Sequence, residues 1–454
     1  MSERIVVGVD IGTTKICAIV ASADENGRVN ILGVGMAESE GINRGVVVNI
    51  DKTVESVKKA VKEAERVAGV QVKRVIVGIA GDHIHSDQSR GVITVSNRNR
   101  EITPLDVHRL IEDTKNVAMP SDRSILHVIP QEFIVDGQDG VADPVGMSGV
   151  RLEANVHIIT GLVSAAKNIY RCIEKAGYEV ADLVLEPLAS SYAVLHTDEK
   201  EVGVALIDIG GGTTDMAVFE DHTIRHTAVI AVAGSKVTDD IRKGLGIMRD
   251  QAERLKHRFG SALVSPSGDE EIMIPGIGGR PAKTVSRSML AQIIQPRLEE
   301  ILEIAAYEIK RSGYGQRLSS GVVLTGGGSL IPGTAELAAD IMGVEARVGL
   351  PTGIHGGMVA EVSDPKFATA VGLILYGLRP EAIGGDPIEG EMGDRQTATA
   401  LPTASRTATP GATSEPHDLS DDEDYDDDGK TQAYEGESRF TSLMNRLKGY
   451  MNEF

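Results

Sequence analysis

Asp10-Ile-Gly-Thr-Thr-Lys15, near the start of the chain, returns in the second half as Asp208-Ile-Gly-Gly-Gly-Thr-Thr-Asp215. Each copy closes one apolar run, Ile5 to Val9 or Val202 to Ile207, and opens another, Ile16 to Val20 or Met216 to Phe219. Glycine between two strands permits positive φ and lets backbone approach a ligand closely. Backbone N–H groups and threonine hydroxyls in such a turn can surround phosphate oxygens. Gly12, Thr13, Thr14 and Lys15 form one candidate phosphate set, and Gly210, Gly211, Gly212, Thr213 and Thr214 the other. The Asp at each strand end, Asp10 and Asp208, suits a hydrated Mg²⁺, which takes oxygen ligands and keeps several waters. One copy alone fits a plain hairpin equally well. Two copies read as jaws around a nucleotide.

A third glycine stretch, Leu324-Thr-Gly-Gly-Gly-Ser329, lies between a strand pattern and a helix pattern. Gly326, Gly327 and Gly328 would let backbone meet a purine or ribose, although a simple strand-to-helix connection needs no ligand. The chain has neither a GxxxxGK[ST] loop nor a strand-linked GxGxxG in a dinucleotide setting.

The chain has 454 residues, a net charge of −20, 41% hydrophobic content, 3% aromatics and no Trp. The acidic balance argues against a nucleic-acid surface. Much of the excess is local: Asp418 to Asp428 is almost continuously acidic, with no basic residue. The two cysteines, Cys17 and Cys172, are too few to staple a fold of this size and point to a reducing cytoplasm. Residues 1–20 do not read as a signal peptide, and no apolar run is long enough to span a membrane.

Residues 1–380 read as a compact α/β region. The spacing predicts a helix over 51–68, with Val54, Val57, Val61 and Ala64 on one face, and a strand over 72–79. Between 84 and 161 the rhythm changes to polar turns, one short helix after Pro104 and strand-like runs at 125–129 and 156–159, as in a small inserted module. Helices are expected over 164–176, after Pro187, over 286–311 and over 364–376. His83, His85, His222 and His226 read as ordinary surface histidines.

Taken together, these motifs resemble the actin-like ATPase superfamily of actin, sugar kinases, DnaK-type chaperones and bacterial filament proteins. The two Asp-Gly-Thr stretches look like its phosphate motifs and Leu324 to Ser329 like its adenosine motif. Glu186-Pro-Leu-Ala-Ser190 and Ala370-Val-Gly-Leu-Ile374 are similar to its two connecting motifs, and all five occur in the family order. The resemblance implies an α/β, two-lobed fold that binds ATP and Mg²⁺, with Glu253 and Lys256 touching the adenosine. It places Glu186 where a side chain orients the attacking water, since phosphoryl transfer depends mainly on positioning and charge stabilisation. Asp208 suits either a metal ligand or a proton acceptor. Hydrolysis, if present, is expected to be slow.

Within the insert, His127-Val-Ile-Pro-Gln-Glu-Phe133, Asp143-Pro-Val-Gly-Met147 and Glu153-Ala-Asn-Val-His157-Ile-Ile-Thr-Gly161 look like the FtsA family of actin-like bacterial cell-division proteins. That resemblance implies a peripheral protein on the cytoplasmic side of the inner membrane. It would self-associate into filaments, hold the C-terminal tail of the tubulin-like protein FtsZ and recruit later divisome membrane proteins. The tail would dock on the upper second lobe, roughly residues 236–311, where Arg287 and Arg297 are candidate partners for acid. A sugar-kinase-like phosphotransferase and a pilus-assembly actin-like protein are the alternatives on this fold.

Residues 381–438 are poor in large apolar side chains and read as a disordered acidic linker. In 439–454, Phe440, Leu443, Met444, Leu447, Met451 and Phe454 follow helical spacing. Beyond such a linker, an amphipathic helix reads as an interfacial membrane anchor, as in the FtsA family. Its apolar burial and its ordering cost are similar in size. A single copy would bind membrane marginally, and a filament would multiply the effect.

Overall fold

The computed structural model describes residues 4–379 apart from 97–98, 116–118, 265–269, 277 and 279–280. The expected linker and the helix carrying Phe440 to Phe454 lie outside the described residues.

The first phosphate-type turn joins β1 (Arg4–Ile11) to β2 (Lys15–Ala23), an antiparallel pair with Asp10 opposite Cys17. Strand β3 (Val29–Glu38) follows, and α1 (Ile50–Ala68) folds back over it. Asn49 caps α1 by accepting from the Lys52 amide, and Gly69 ends it at φ 68°. Gly35 explains how close the helix lies to the strand. A Cβ there would stand 2.0 Å from the Ala60 carbonyl oxygen. Strand β4 (Arg74–Ile79) then adds parallel to β1. It starts later than the apolar pattern predicts, because the Val72 amide is taken by the Glu65 carboxylate.

An inserted four-stranded antiparallel sheet interrupts this lobe: β5 (His85–Thr94), β6 (Arg123–Val135), β7 (Gln138–Val141) and β8 (Arg151–Leu162), packed on α2 (Pro104–Lys115). Strand β5 escapes a reading by hydrophobic pattern. It is an edge strand whose sequence, HSDQSRGVIT, is mostly polar and largely exposed. The chain returns through α3 (Val163–Ala176) and β9 (Glu179–Leu185), which pairs parallel with β4.

Helices α4 (Glu186–Val194) and α5 (Thr197–Val202) carry the chain to the second lobe. Val202 therefore ends a helix and does not begin the strand expected there. The His196 amide donates to Glu199, which starts the turn, and Gly203 at φ 102° stops it. Strands β10 (Val204–Ile209), β11 (Thr214–Glu220) and β12 (Thr223–Ile230) are antiparallel neighbours. Helices α6 (Gly234–Leu245) and α7 (Arg249–Phe259), the hairpin β13 (Glu271–Ile274) with β14 (Lys283–Ser286), and the long α8 (Arg287–Arg311) follow. Then β15 (Val322–Thr325) joins parallel to β10, α9 (Thr334–Met342) covers it, and β16 (Ala346–Val348) completes the sheet.

The two large sheets share one order. The first runs β9-β4-β1-β2-β3, with a two-residue strand (Gly356–Gly357) added parallel to β3, and the second runs β16-β15-β10-β11-β12. The repeated Asp-Gly-Thr turns are therefore equivalent corners of a duplicated unit. A 3₁₀ turn (Pro365–Phe367) leads into α10 (Ala368–Gly377), which returns to pack on β1, so the helix expected from 364 begins four residues later.

Candidate functional site

The tips of the two repeated turns meet. A Cβ on Gly211 would stand 2.3 Å from Thr14 Cγ2, and one on Gly212 would stand 2.3 Å from Thr13 Oγ1. Only glycine fits between these threonines without displacing them. The fold thus brings Gly12, Thr13, Thr14 and Lys15 against Gly210, Gly211, Gly212, Thr213 and Thr214. Hydrogen bonds brace the turns from behind. The Gly210 amide donates to the Thr213 carbonyl, Thr214 Oγ1 donates to the Val232 carbonyl 2.8 Å away, and the Gly45 amide donates to Thr13 Oγ1.

Carboxylates gather beneath this junction. Asp10, Asp208 and Asp215 are buried, while Glu186, at the first turn of α4, is half-buried. Asp208 and Asp215 lie directly opposite each other across the β10–β11 hairpin. Burial pushes the Asp215 carboxyl up to about 7, against the hydrogen bond from Thr213 Oγ1, and the charges of Asp208 and Asp10 add to the rise. Asp208 is raised to about 6, again by burial first, with hydrogen bonds from Ser190 and Thr369 opposing. Glu186 is held well above the usual carboxylate range by desolvation and by Asp10, Asp215 and Asp208, despite its partial solvent access. Lys15 Nζ lies 3.4 Å from Asp10 Oδ2 and 5.2 Å from the centre of the Phe367 ring. Burial works against its ammonium, but the nearby acidic groups, Asp10 foremost, outweigh it and raise the Lys15 pKa.

Such a cluster invites a cation, and two features fit one. Asp215 Oδ1 is buried with no hydrogen-bond partner. Gly326, at φ 79°, leaves room beside Asp208: a Cβ there would stand 2.3 Å from Asp208 Oδ1. Among the described residues, no three His, Cys, Asp or Glu side chains converge closely enough to hold an ion by themselves. The donor set therefore suits a hydrated Mg²⁺ accompanied by phosphate oxygens better than a fully protein-ligated metal.

The third glycine stretch forms a 3₁₀ turn (Gly327–Leu330) directly after β15. Gly328 packs on Ile209, where a Cβ would stand 2.3 Å from Cγ2, so this turn abuts the end of β10. Helix α7 reaches the same lobe: Lys256 Nζ donates to the Gly234 carbonyl at 3.2 Å and to Thr238 Oγ1 at 2.9 Å, and it pairs with Glu253. The Gly234 and Ser235 amides in turn donate to the Gly210 and Gly211 carbonyls. Burial raises the Glu253 pKa, but His257, Lys256 and Thr238 bring the carboxyl down to about 2. Glu253 and Lys256 are thus linked, through Gly234, to the second phosphate-type turn.

Arg287 and Arg297 stand apart from this cleft. Arg297 bridges Asp240 on α6, at 2.6 Å, and Glu300 on its own helix, while Arg287 lies 3.5 Å from Glu270. Both arginines already serve acids of this chain. Two histidines are not on the surface as expected: His83 is buried, and His226 is half-buried with Nε2 4.0 Å from Glu308.

Sequence reasoning assigned no role to Asp215, although its place was visible, since it occupies in the second repeat the position that Lys15 holds in the first. Thr369 also went unassigned, one residue before the second connecting motif. No local pattern ties it to Asp208.

Comparison with known proteins agrees with this architecture. The family described as cell division protein FtsA matches residues 205–372, and the SHS2 domain inserted in FtsA matches residues 81–160. The cell division protein FtsA of Pseudomonas aeruginosa is 44% identical over 384 residues, covering 84% of this chain and 91% of its own length. Among solved structures, the PilM–PilN type IV pilus biogenesis complex superposes with a TM-score of 0.62 at 16% identity, covering 83% of this chain and 99% of that one. MreB5 of Spiroplasma citri bound to ADP gives 0.50 at 15% identity, covering 82% and 96%. These distant likenesses establish the actin-like fold. The much closer sequence match goes further, and the chain belongs to the FtsA family of cell division proteins.

Proposed function

We propose that this chain is an ATP-binding member of the division machinery that assembles on the cytoplasmic face of the inner membrane. There it holds the FtsZ tail and recruits later divisome proteins. The observation that carries the nucleotide part is the meeting of two Gly-Thr turns above clustered buried carboxylates. Amides and hydroxyls of Gly12 to Thr14 and Gly210 to Thr214 would take the phosphate oxygens, and Lys15 would offset their charge. Mg²⁺ bound with ATP would neutralise the phosphates, held by Asp10 and Asp208 largely through water. Gly326 to Gly328, Glu253 and Lys256 would border the adenosine.

Burial, reinforced by the neighbouring carboxylates of Asp10, Asp215 and Asp208, holds the Glu186 carboxyl well above the usual carboxylate range. With Mg²⁺ and nucleotide bound, the Glu186 carboxylate would orient the attacking water. Glu186→Gln is expected to leave ATP affinity within about twofold and to lower any measurable turnover by about 100-fold in a phosphate-release assay.

The membrane part rests on the amphipathic spacing from Phe440 to Phe454 and on family membership. Among the described residues, no helix is long and apolar enough to cross a membrane. Liposome flotation with ATP should carry the intact chain upward and leave behind a chain ending at Ser438. If both sediment, membrane attachment through this segment is refuted. FtsZ added to the floated vesicles then tests the tether. Arg287→Ala should weaken FtsZ-tail binding without loss of stability. Arg297→Ala should also loosen α8 from α6, because it breaks the Asp240 pair.

A further inference from the structure

The chain passes between its lobes twice: through α4 on the way out and through the 3₁₀ turn into α10 on the way back. Both passages are largely buried, yet each places a hydroxyl at the same point. Ser190 of α4 and Thr369 of α10 are 0% and 7% exposed. A hydroxyl buried this deeply is unfavourable unless it finds a partner. Here both converge on one carboxylate oxygen of the second lobe. Ser190 Oγ donates to Asp208 Oδ2 at 2.8 Å, Thr369 Oγ1 lies 3.3 Å from the same oxygen, and the two hydroxyls are 3.0 Å apart. Each hydroxyl has one proton. With the Ser190 proton on Asp208, Thr369 donates either to that oxygen or to Ser190 Oγ. Both arrangements anchor the same carboxylate.

The opposite oxygen, Oδ1, lies over the Gly326 turn. Asp208 is thus gripped on one side and left facing the cleft wall on the other. The helices that grip it touch each other one turn away. A Cβ on Gly372 would stand 1.9 Å from the Ala189 carbonyl oxygen, so backbone meets backbone there. The first phosphate-type turn reaches the same return passage, because Lys15 Nζ sits over Phe367, two residues before Thr369. A rotation of the Asp208 carboxylate must therefore move or break contacts on both passages at their point of closest approach.

We propose that Ser190 and Thr369 are positioning residues for Asp208, forming a hydroxyl clamp that transmits metal–nucleotide occupancy of the cleft to both interlobe helices. The clamp rests on the reading of the cleft as a Mg²⁺–nucleotide site and adds the route by which occupancy reaches the lobes. Losing either hydroxyl frees Asp208 to adopt other rotamers, and the metal-dependent part of nucleotide affinity falls. Removing groups that orient a metal-binding side chain typically costs about 10- to 100-fold in metal affinity.

The test uses the full chain and two readouts, ATP affinity by calorimetry with and without Mg²⁺, and hydrogen exchange across residues 186–194 and 368–377. In the wild type, Mg²⁺–ATP should bind more tightly than ATP alone and should slow exchange in both segments. Ser190→Ala and Thr369→Val should each reduce the Mg²⁺-dependent gain by about tenfold and abolish the protection of the segment opposite the substitution. Thr369→Ser should restore both, and the double variant should be no worse than the weaker single variant, as expected of groups acting as one unit. Unchanged exchange elsewhere in the chain identifies a folded variant, and Thr369→Ser covers the case in which valine disrupts packing. Wild-type protein that does not bind Mg²⁺–ATP overturns the nucleotide reading itself. Wild-type binding with protection, retained in full by both Ser190→Ala and Thr369→Val, overturns the clamp alone.

Discussion

At Asp215 the opposing forces can be followed one at a time. It faces Asp208 across a two-strand hairpin, is buried, and accepts one hydrogen bond, from Thr213. Burial disfavours the ionised form, and a like charge directly opposite in the sheet adds to that cost. The folded carboxyl is therefore raised from 3.8 to about 7. A group whose folded pKa is raised contributes stability that is complete below its unfolded pKa and is lost as pH rises through the folded value. The ligand-free protein should lose this contribution between about pH 4 and pH 7. Asp215→Asn should flatten that part of the profile and raise the urea midpoint near pH 8, with little difference near pH 4. Urea titrations of both proteins across that range, without nucleotide, are the check. An unchanged slope would show that Asp215 ionises in the folded state as it does in water.

At the scale of elements, the contact between α4 and α10 places strict limits on side-chain size. Helix α10 is apolar around most of its circumference and is buried from Ala368 through Ile374, as a helix threaded between packed elements must be. Glycine is a poor helix former, so alanine at Gly372 would gain about 1 kcal/mol of intrinsic propensity. It would also push a methyl group into the Ala189 backbone, and overpacking a tight contact costs about 1–3 kcal/mol or more. Packing should win. Gly372→Ala is expected to lower stability by about 1–2 kcal/mol net in chemical denaturation and to weaken nucleotide binding through the adjacent Ser190 and Thr369. A stabilised variant would mean that the helices can separate at no cost. The hydrophobic pattern identified α10 as a buried helix. It carried no sign that Gly372 serves an interhelical contact, because that contact is made with a residue from the other passage.

For the molecule as a whole, the inserted module is a bridge. It grows from the first lobe, yet Gln131 Nε2 donates to the Ile224 carbonyl of β12 at 2.9 Å and Ser86 Oγ donates to the Thr227 carbonyl at 3.0 Å. His157 Nε2 lies 3.2 Å from Thr227 Oγ1. Burial holds that imidazole down at about 4, with His226 adding to the effect, so it is neutral at physiological pH. Strand β12 is an edge of the second sheet, and these side chains cover an edge that would otherwise be open to pairing. A Ser86→Ala, Gln131→Ala double variant removes two contacts worth about 0.5–1.5 kcal/mol each. It should speed hydrogen exchange at residues 223–230 while leaving the main unfolding transition nearly in place. Exchange unchanged from wild type would mean that shape alone seats the module.

The local grammar belonged to the sequence: two Asp-Gly-Thr corners, an amphipathic α1 with Val54, Val57, Val61 and Ala64 on one face, the long helix expected over 286–311, and a glycine turn after a short apolar strand. These features depend on spacing and on residues a few positions apart, so the chain displays them directly, and together they were enough to indicate a duplicated nucleotide fold. The polar strand β5 stayed hidden because an edge strand need not alternate. What only the tertiary structure decided is the company each residue keeps. Residues 10, 186, 208, 215 and 369 come together because two sheets sharing the same five-strand order bring equivalent corners tip to tip and helices α4 and α10 pack against each other beside them. Burial at that meeting point sets the protonation of the acids and the partners of the hydroxyls. Those properties arise from non-local contact and exclusion of water, which no stretch of the chain carries alone.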